Sequence, residues 1–191
     1  MKKIECILPE KEVNRWIFFI TIIVILAAVL PYMLMYRESL RQIIDYRTEV
    51  QEAVGVFRKF WLCILPVLIL MSAICVHEAI HGLCFAFFCK DHFKSIKFGF
   101  KLPGFYTYCK EPLKRNQFII SGLMPAILLG LIPLIYAFIF SNARIWLFGF
   151  IMLTGGGGDF IIVYHIMKKA GSDDRILEKM DCFMGFEVEK S

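Results

Sequence analysis

The chain has 191 residues, of which 58% are hydrophobic, and its formal net charge is +5. A soluble domain of this length would be about half apolar, and here the excess is gathered into long runs. We therefore expect one integral-membrane domain over residues 1–191, because no polar stretch is long enough to enclose a core of its own. The positive charge favours contact with anionic membrane lipid, which is an expected partner. Nucleic acid is not expected as a partner, because the sequence contains no nucleic-acid-binding motif.

Four apolar runs are long enough to cross a bilayer, whose hydrocarbon core takes about 20 helical residues. They cover residues 16–36, 60–89, 118–140 and 145–167. These runs predict an all-α membrane protein with about four transmembrane helices. The charged segment 37–59 keeps apolar residues at helical spacing, so it predicts an amphipathic helix at the membrane surface or an extension of the first span. The alternative is a solvated connecting helix with no role in the chemistry.

The seven cysteines are odd in number and scattered, several of them within apolar runs. No disulfide framework is expected from such a pattern. Residues 1–15 are charged over too long a stretch for a cleaved signal peptide, so the first run is expected to stay in the protein.

The basic segment 90–117 contains two alternating stretches rich in aromatic and β-favouring residues, at 95–100 and 105–109. The turn signal Leu102-Pro103-Gly104 separates them. They predict a small β-hairpin next to the metal site proposed below, with an open edge that can receive an extended peptide. The alternative is a structural lid. Residues 185–190 predict a further short strand near the hairpin.

The second apolar run contains His77-Glu78-Ala79-Ile80-His81. On a helix, His77 and His81 lie one turn apart on the same face and can bind one Zn²⁺, which leaves room for a third ligand and a water. Glu78 is adjacent and can take a proton from that water as the catalytic base. Ionisable residues inside a membrane are costly and are functional candidates by default. The alternative is a pair of polar side chains packed between helices.

The fourth run contains four consecutive glycines followed by Asp159. Glycines inside a membrane helix are expected where the backbone unwinds or approaches another group closely. His77, His81 and Asp159 lie 12, 8 and 8 residues before the ends of their runs at Cys89 and Met167. At ~1.5 Å per residue, all three lie roughly 12 to 18 Å below one face of the membrane. Asp159 is therefore the predicted third metal ligand.

Lys and Arg residues favour the cytoplasm for the N-terminal segment, for segment 90–117 and for the tail after residue 167. Four spans with both termini in the cytoplasm satisfy all three, although segment 37–59 also holds five Lys and Arg residues. We therefore expect a multi-pass protein of the cell membrane with both termini cytoplasmic.

Several other residues are weaker candidates for the site. Cys84 lies on the helical face of His77, so a Cys ligand is an alternative to a small buried side chain. His92 and His165 are placed outside the metal shell. Asn116 can donate a hydrogen bond to a substrate, or it can cap a helix.

The chain resembles a known family in three places: His77-Glu78-Ala79-Ile80-His81-Gly82, Ser121-Gly122-Leu123-Met124-Pro125, and Gly158-Asp159. These look like the small bacterial putative zincin peptidases, which are in turn similar to site-2 proteases that cleave peptides within the membrane. The resemblance spans residues from about 60 to the tail, where 181–188 also matches. It implies that His77, His81 and Asp159 bind zinc and that Glu78 is the general base. The chain departs from site-2 proteases by having Gly-Gly-Gly-Asp-Phe where they have an Asn-Pro-Asp-Gly type element.

Two functional hypotheses follow. The first is a zinc-dependent intramembrane or membrane-interface peptidase that hydrolyses peptide bonds of membrane-associated substrates, either peptides or membrane proteins. The second is a non-catalytic membrane protein that holds a structural metal or binds a partner. A closed shell of four ligands that includes Cys84 would favour the second hypothesis, and an open position beside Glu78 would favour the first.

Overall fold

The computed structural model describes residues 3–38, 41, 55–101, 104–179 and 184–190. It is mostly helical, and two small sheets accompany the helices. The elements in chain order are β1 (Lys3–Ile7), α1 (Glu10–Met35), α2 (Val56–Phe88), β2 (Ile96–Lys101), β3 (Gly104–Cys109), β4 (Leu113–Lys114), α3 (Arg115–Phe140), α4 (Ala143–Gly155), α5 (Gly157–Lys169), β5 (Arg175–Glu178) and β6 (Gly185–Glu189).

Within these residues, three helices are long and apolar enough to cross a membrane: α1, the Phe60–Phe88 part of α2, and α3. The pair α4 and α5 passes the same test together, but the two helices are bent by 46° and form either a broken span or a re-entrant loop. Three of the four predicted spans are therefore single helices of sufficient length, and the number of crossings stays a prediction. The first helix begins at Glu10, ahead of the predicted residue 16.

The two long helices α1 and α3 each contain a π-helical turn, at Ile25–Val29 and Ala126–Leu131. Pro31 and Pro133 each lie two residues after the end of these turns. Proline has no N–H to bond the carbonyl four residues earlier, and in both cases that carbonyl lies inside the π turn. The prolines thus account for the local widening of both helices.

The larger sheet has four antiparallel strands in the order β1-β6-β5-β4. Lys3 pairs with Glu189, so the first and last strands of the chain are neighbours. The strand expected at 185–190 is present as β6, while β1, β4 and β5 are not predicted by the sequence. β4 has only two residues, which is too short for a periodic signal, and β1 is highly charged. The prediction of a mostly helical protein is confirmed, and the four-stranded sheet adds three strands that the sequence does not predict.

The smaller sheet pairs β2 with β3 in antiparallel register, from Ile96↔Cys109 to Lys101↔Gly104. Both strands contact α2. The Oγ1 of Thr107 donates a hydrogen bond of 2.8 Å to the carbonyl oxygen of Glu78. This strand pair lies where the sequence predicts a hairpin, and the predicted turn at 102–103 falls outside the described residues. Most of the predicted surface helix at 37–59 also falls outside them.

One buried cluster ties the four-stranded sheet to the helices. Ile176 of β5 and Val188 of β6 pack in it with Phe85 of α2 and Phe118 of α3. A second cluster joins α1, α3 and α4, where the ring of Tyr32 stacks on that of Trp146 at 4.8 Å. The sheet is therefore fixed against the C-terminal part of α2, directly beyond the His-Glu-x-x-His turn.

Candidate metal centre

Three side chains converge at the place where α2, α3 and α5 meet. His77 Nε2 lies 3.1 Å from Asp159 Oδ2, and His81 Nε2 lies 3.2 Å from His77 Nε2. The distance from His81 Nε2 to Asp159 Oδ2 is 3.4 Å. The two histidines come from adjacent turns of α2, because a spacing of four residues places both on one helix face. All three residues that the sequence assigns to the metal are thus brought together.

Asp159 reaches the histidines because the helix breaks just before it. α4 ends at Gly155, and α5 begins at Gly157 with Asp159 in its first turn. The Asp159 N–H donates a bond of 3.1 Å to the carbonyl of Gly156. A helix N-terminus favours a negative side chain. A Cβ on Gly156 would lie 3.4 Å from both Asp159 Oδ2 and His77 Cε1, so the break also leaves room for the two ligand side chains.

The second ring nitrogen of His81 is held by α3. Nδ1 lies 2.9 Å from the carbonyl oxygen of Ser121 and donates to it, since the carbonyl can only accept. This bond places the proton on Nδ1 and leaves the lone pair of Nε2 directed at His77 and Asp159. α3 also packs closely on α5, since a Cβ on Gly122 would lie 3.2 Å from Val163. The sequence marks Ser121 only as the first residue of the motif Ser121-Gly122-Leu123-Met124-Pro125.

The donor set fits a divalent metal. The three candidate ligand atoms lie within 4.8 Å of one another, and each is an imidazole nitrogen or a carboxylate oxygen. Such donors are those that Zn²⁺ takes in catalytic sites with three protein ligands. Without a cation, only shared protons could join the two imidazole nitrogens and the carboxylate, which lie 3.1 to 3.4 Å apart in a largely buried space. A bound divalent ion would satisfy all three.

The weaker candidates lie outside this group. Cys84 is half-buried and is not one of the clustered ligands. His92 Nδ1 lies 3.0 Å from the carbonyl oxygen of Ala86, and His165 Nε2 lies 4.0 Å from a carboxylate oxygen of Glu12. The exposed Asn116 accepts a bond from the Nε of Arg115, its neighbour. None of the four joins the cluster in the described part of the chain.

Glu78 lies next to the cluster without belonging to it. Its side chain is half-buried, and its carbonyl oxygen is fixed by Thr107 of β3. The hydroxyl of Thr107 also interacts with the carboxyl group of Glu78. The β2–β3 pair therefore orients the residue that the sequence assigns as the base, a contact that spacing along the chain does not reveal.

A further acidic residue near the cluster is absent from the sequence-based assignment. Glu178 ends β5, and the charges of His81, Asp159 and Glu78 all act on its carboxyl group. Burial raises the pKa of Glu178 to about 7. Only its place at the end of a short strand could have pointed to it, and that strand has no clear sequence signal.

The comparisons with known proteins give one family. The model of a family described as "Putative zincin peptidase" matches residues 68–172, more than half of the chain. The matched segment includes all three clustered residues and Glu78, and it ends before β5. Neither the curated proteins nor the solved structures give a match.

Proposed function

Because the chain belongs to the family described as "Putative zincin peptidase", and is in this sense a metallopeptidase, we propose that it is a zinc-dependent peptidase of the membrane or its interface. His77, His81 and Asp159 hold the metal in this proposal, and Glu78 is the catalytic base. The observation that carries it is the convergence of two imidazoles and a carboxylate within 4.8 Å, from two helices 82 residues apart.

In this proposal the bound metal ion and the side chains of the protein have different roles in peptide hydrolysis. A bound Zn²⁺ lowers the pKa of a coordinated water and polarises a peptide carbonyl. Glu78 accepts the proton of the attacking water and delivers it to the leaving amine. Ser121 keeps His81 in the tautomer that can bind metal, through the bond of 2.9 Å to Nδ1. The hydroxyl of Thr107 donates to the main-chain carbonyl of Glu78 and so ties β3 to the helical turn that carries the base.

The place of the site supports a membrane-associated substrate. His77, Glu78 and His81 lie within Phe60–Phe88, which is long and apolar enough to span a bilayer. The pairing of β1 with β6 supports a topology in which both strands lie on one side of the membrane. Four spans, with the broken pair α4–α5 as the fourth, agree with such a topology. The basic segments favour the cytoplasm for that side.

The strand pair β2–β3 supports an extended peptide as the substrate. The sheet has only these two strands among the described residues, so each has an edge that is not paired there. β3 contacts α2 and carries Thr107, which binds Glu78. A peptide added to this sheet would run close to the base by β-augmentation. Peptides or membrane proteins, together with membrane lipid, are the partners proposed.

A non-catalytic metal protein is the second hypothesis. It would be supported by a closed, four-ligand shell, and Cys84 is the nearest candidate for a fourth ligand along α2. The clustered group instead has three ligands with Cys84 outside it, which favours a site with an open position.

A comparison of membrane proteomes tests the proposed function. Cells with the wild type and cells with Glu78→Gln would be compared at equal protein and zinc content. Shortened membrane proteins or released peptides that depend on Glu78 are expected. Identical proteomes, with zinc retained in both proteins, would favour the non-catalytic hypothesis.

A further inference from the structure

The helix α2 is longer than the hydrocarbon core that it would cross. Its apolar part, Phe60–Phe88, has 29 residues and is about 43 Å long, whereas the core is about 30 Å thick and takes about 20 helical residues. The exposed Arg58 lies just before this part. A core that begins at Phe60 therefore ends near Ile80. The depth expected from the sequence, roughly 12 to 18 Å, counts from the helix ends, which lie partly outside the core.

The helix α3 gives the same boundary when it is counted from the opposite end. It ends at Phe140, and the exposed Asn142 and Arg144 follow. A core of about 20 residues that ends at Phe140 begins at Ser121. The carbonyl oxygen of Ser121 lies 2.9 Å from His81 Nδ1. Two independent counts therefore meet at one contact of the candidate metal centre.

The helix α1 places the boundary slightly nearer the sheets. Trp16 begins its uncharged run, which ends at Tyr36. The ring of Trp16 lies 5.1 Å from that of Tyr164, and such rings are enriched at the edges of the core. Tyr164 is five residues, about 7.5 Å, beyond Asp159 along α5. The three helices thus place the metal centre between the boundary and about 8 Å inside it, whereas the middle of the core is about 15 Å inside.

The four-stranded sheet limits the depth from the other side. Ile176 of β5 is buried in one cluster with Phe85 of α2 and Phe118 of α3. Among the described residues, β1 and β4 are the edges of this sheet. Open edges do not occur in the hydrocarbon, because their N–H and C=O groups have no partner there. His81 is one helical turn, about 6 Å, from Phe85. The metal centre is therefore about one turn away from a layer outside the core.

The β2–β3 pair belongs to the same layer. The hydroxyl of Thr107 bonds the carbonyl oxygen of Glu78, and a Cβ on Gly82 would overlap the ring of Phe98. This sheet also has edges that are not paired among the described residues. Phe98 and Lys97 are both exposed, which fits the interface, where a lysine stem covers apolar surface and its ammonium group reaches water. The turn that carries Glu78 therefore lies next to the head groups.

We propose that the candidate metal centre lies at the edge of the hydrocarbon core on the side of the two sheets, and that its substrates are membrane proteins cleaved near the end of a transmembrane segment. This inference rests on the proposed function. A bond in the middle of a span lies about 7 Å or more deeper than the metal centre. The last four carbonyls of a helix have no partner within it. The chain at the end of a span can therefore extend along the edge of β2–β3, close to the water that hydrolysis consumes.

Nitroxide labels on α2 measure this depth. The native Cys63 and a cysteine introduced by Phe87→Cys, both at exposed positions, would each be labelled in zinc-loaded full chains whose other cysteines are replaced by alanine. The chains would be placed in nanodiscs of phosphatidylcholine and phosphatidylglycerol. Collision with oxygen reports hydrocarbon, and collision with a nickel chelate reports water. For a core centred near residue 70, the label at Cys63 lies about 10 Å from the middle, in hydrocarbon, and the label at position 87 lies about 25 Å away, in water.

A metal centre in the middle of the bilayer predicts the opposite pair of results. With Ala79 at the middle, Cys63 would lie about 24 Å away, in water, and position 87 about 12 Å away, in hydrocarbon. That result would overturn the inference and leave the proposed function standing. The exposed Cys75 is the matched control, because it lies about 6 to 8 Å from the middle in both cases and its label is expected in hydrocarbon.

The wild type decides the depth if the labelled variants lose zinc. A membrane-impermeant maleimide is expected to modify the native Cys63 at least about tenfold more slowly in nanodiscs than in denaturing detergent, because hydrocarbon excludes the reagent and disfavours the thiolate. Both faces of a nanodisc are open to the reagent, so the orientation of the chain does not affect the result. Equal rates of modification would overturn the inference.

The positions of the cuts test the substrate class. Among membrane proteins that differ between cells with the wild type and cells with Glu78→Gln, mass spectrometry of new termini is expected to place the cuts within about five residues of one end of a transmembrane segment, since five residues span about 7.5 Å of helix. Cuts that cluster in the middle of these segments would overturn the inference and leave the proposed function standing. The absence of cuts that depend on Glu78 would contradict the proposed function and, with it, this substrate class.

Discussion

Lys3 and Glu189 face each other across β1 and β6, with Lys3 Nζ 2.9 Å from Glu189 Oε1. The same ammonium group lies 2.7 Å from an oxygen of Glu187. The exposed Lys3 limits what these ion pairs add to stability, but the register they accompany places β1 and β6 in one sheet. Two strands cannot pair across a bilayer, so this relationship constrains the topology more directly than charge counts do.

The first prediction concerns that topology. Reporter tags at the two ends are expected in the same compartment, the cytoplasm, and a tag inserted at 141–142 is expected on the opposite side. The physical reason is the β1–β6 pairing together with the basic segments on that side. Protease protection or thiol labelling in intact cells measures it. Termini in opposite compartments would contradict four spans.

The second prediction concerns the metal. The purified protein is expected to contain about one Zn²⁺ per chain, and His77→Ala or His81→Ala should lose most of it, since each removes one of three protein ligands. Elemental analysis of the folded protein measures the metal. His92→Ala is the matched control, because its ring nitrogen bonds the carbonyl of Ala86 and it should keep the ion. Metal-free wild type after purification without chelators would contradict the site.

The third prediction separates the base from the ligand. Glu78→Gln is expected to keep zinc and fold but to lose peptide cleavage by several orders of magnitude, because the shape is kept and the base is removed. Asp159→Asn is expected to weaken zinc binding, because an anionic ligand becomes neutral. Its cleavage activity should be partly restored by added Zn²⁺.

The two variants must be compared on both metal content and cleavage. Loss of zinc in Glu78→Gln with retention in Asp159→Asn would show that the ligand assignment is wrong. Unchanged cleavage in zinc-loaded Glu78→Gln would show that another group is the base.

The fourth prediction concerns the helix break. Gly156→Leu is expected to lose most of the zinc, because a Cβ there would already lie 3.4 Å from both His77 Cε1 and Asp159 Oδ2 and the rest of the leucine side chain needs further space. Gly155→Leu is the matched control, since a Cβ there meets nothing within 4 Å. Metal content and thermal unfolding report the result. Equal zinc in the two variants would mean that Asp159 does not need the space beside Gly156.

The fifth prediction concerns pH and Glu178. Burial raises the pKa of this carboxyl from 4.5 to about 7, so the folded metal-free protein keeps a proton that the unfolded chain releases between these values. The free energy of unfolding should therefore fall as pH rises from about 4.5 to 7, by about 3 kcal/mol at most from this group. A glutamine at position 178 does not titrate. The free energy of unfolding of Glu178→Gln, taken relative to that of the wild type, should therefore be higher at pH 8 than at pH 5.

Thermal unfolding of both proteins in detergent with a chelator measures this difference. The chelator matters because a nearby divalent ion would favour the charged carboxylate. A stability difference that is the same at pH 5 and pH 8 would show that Glu178 has an ordinary pKa.

The sequence by itself determined the long apolar helices and the pair His77 and His81. Both depend on local periodicity: about twenty apolar residues form a membrane-length helix, and a spacing of four residues places two side chains on one face. Asp159 could also be predicted as a partner, because a carboxylate in an apolar run is costly and its depth matches that of the histidines. The structure brings it to 3.1 Å from His77.

Only the tertiary structure decided what surrounds these three residues. The carbonyl of Ser121 that orients His81, the hydroxyl of Thr107 that holds Glu78, and the carboxyl group of Glu178 come from three separate elements. A main-chain carbonyl has no sequence signature, a predicted strand does not reveal which helix it contacts, and the four residues of β5 are too few to show a period. These contacts depend on how distant segments pack, and packing between segments leaves no periodic pattern in either one.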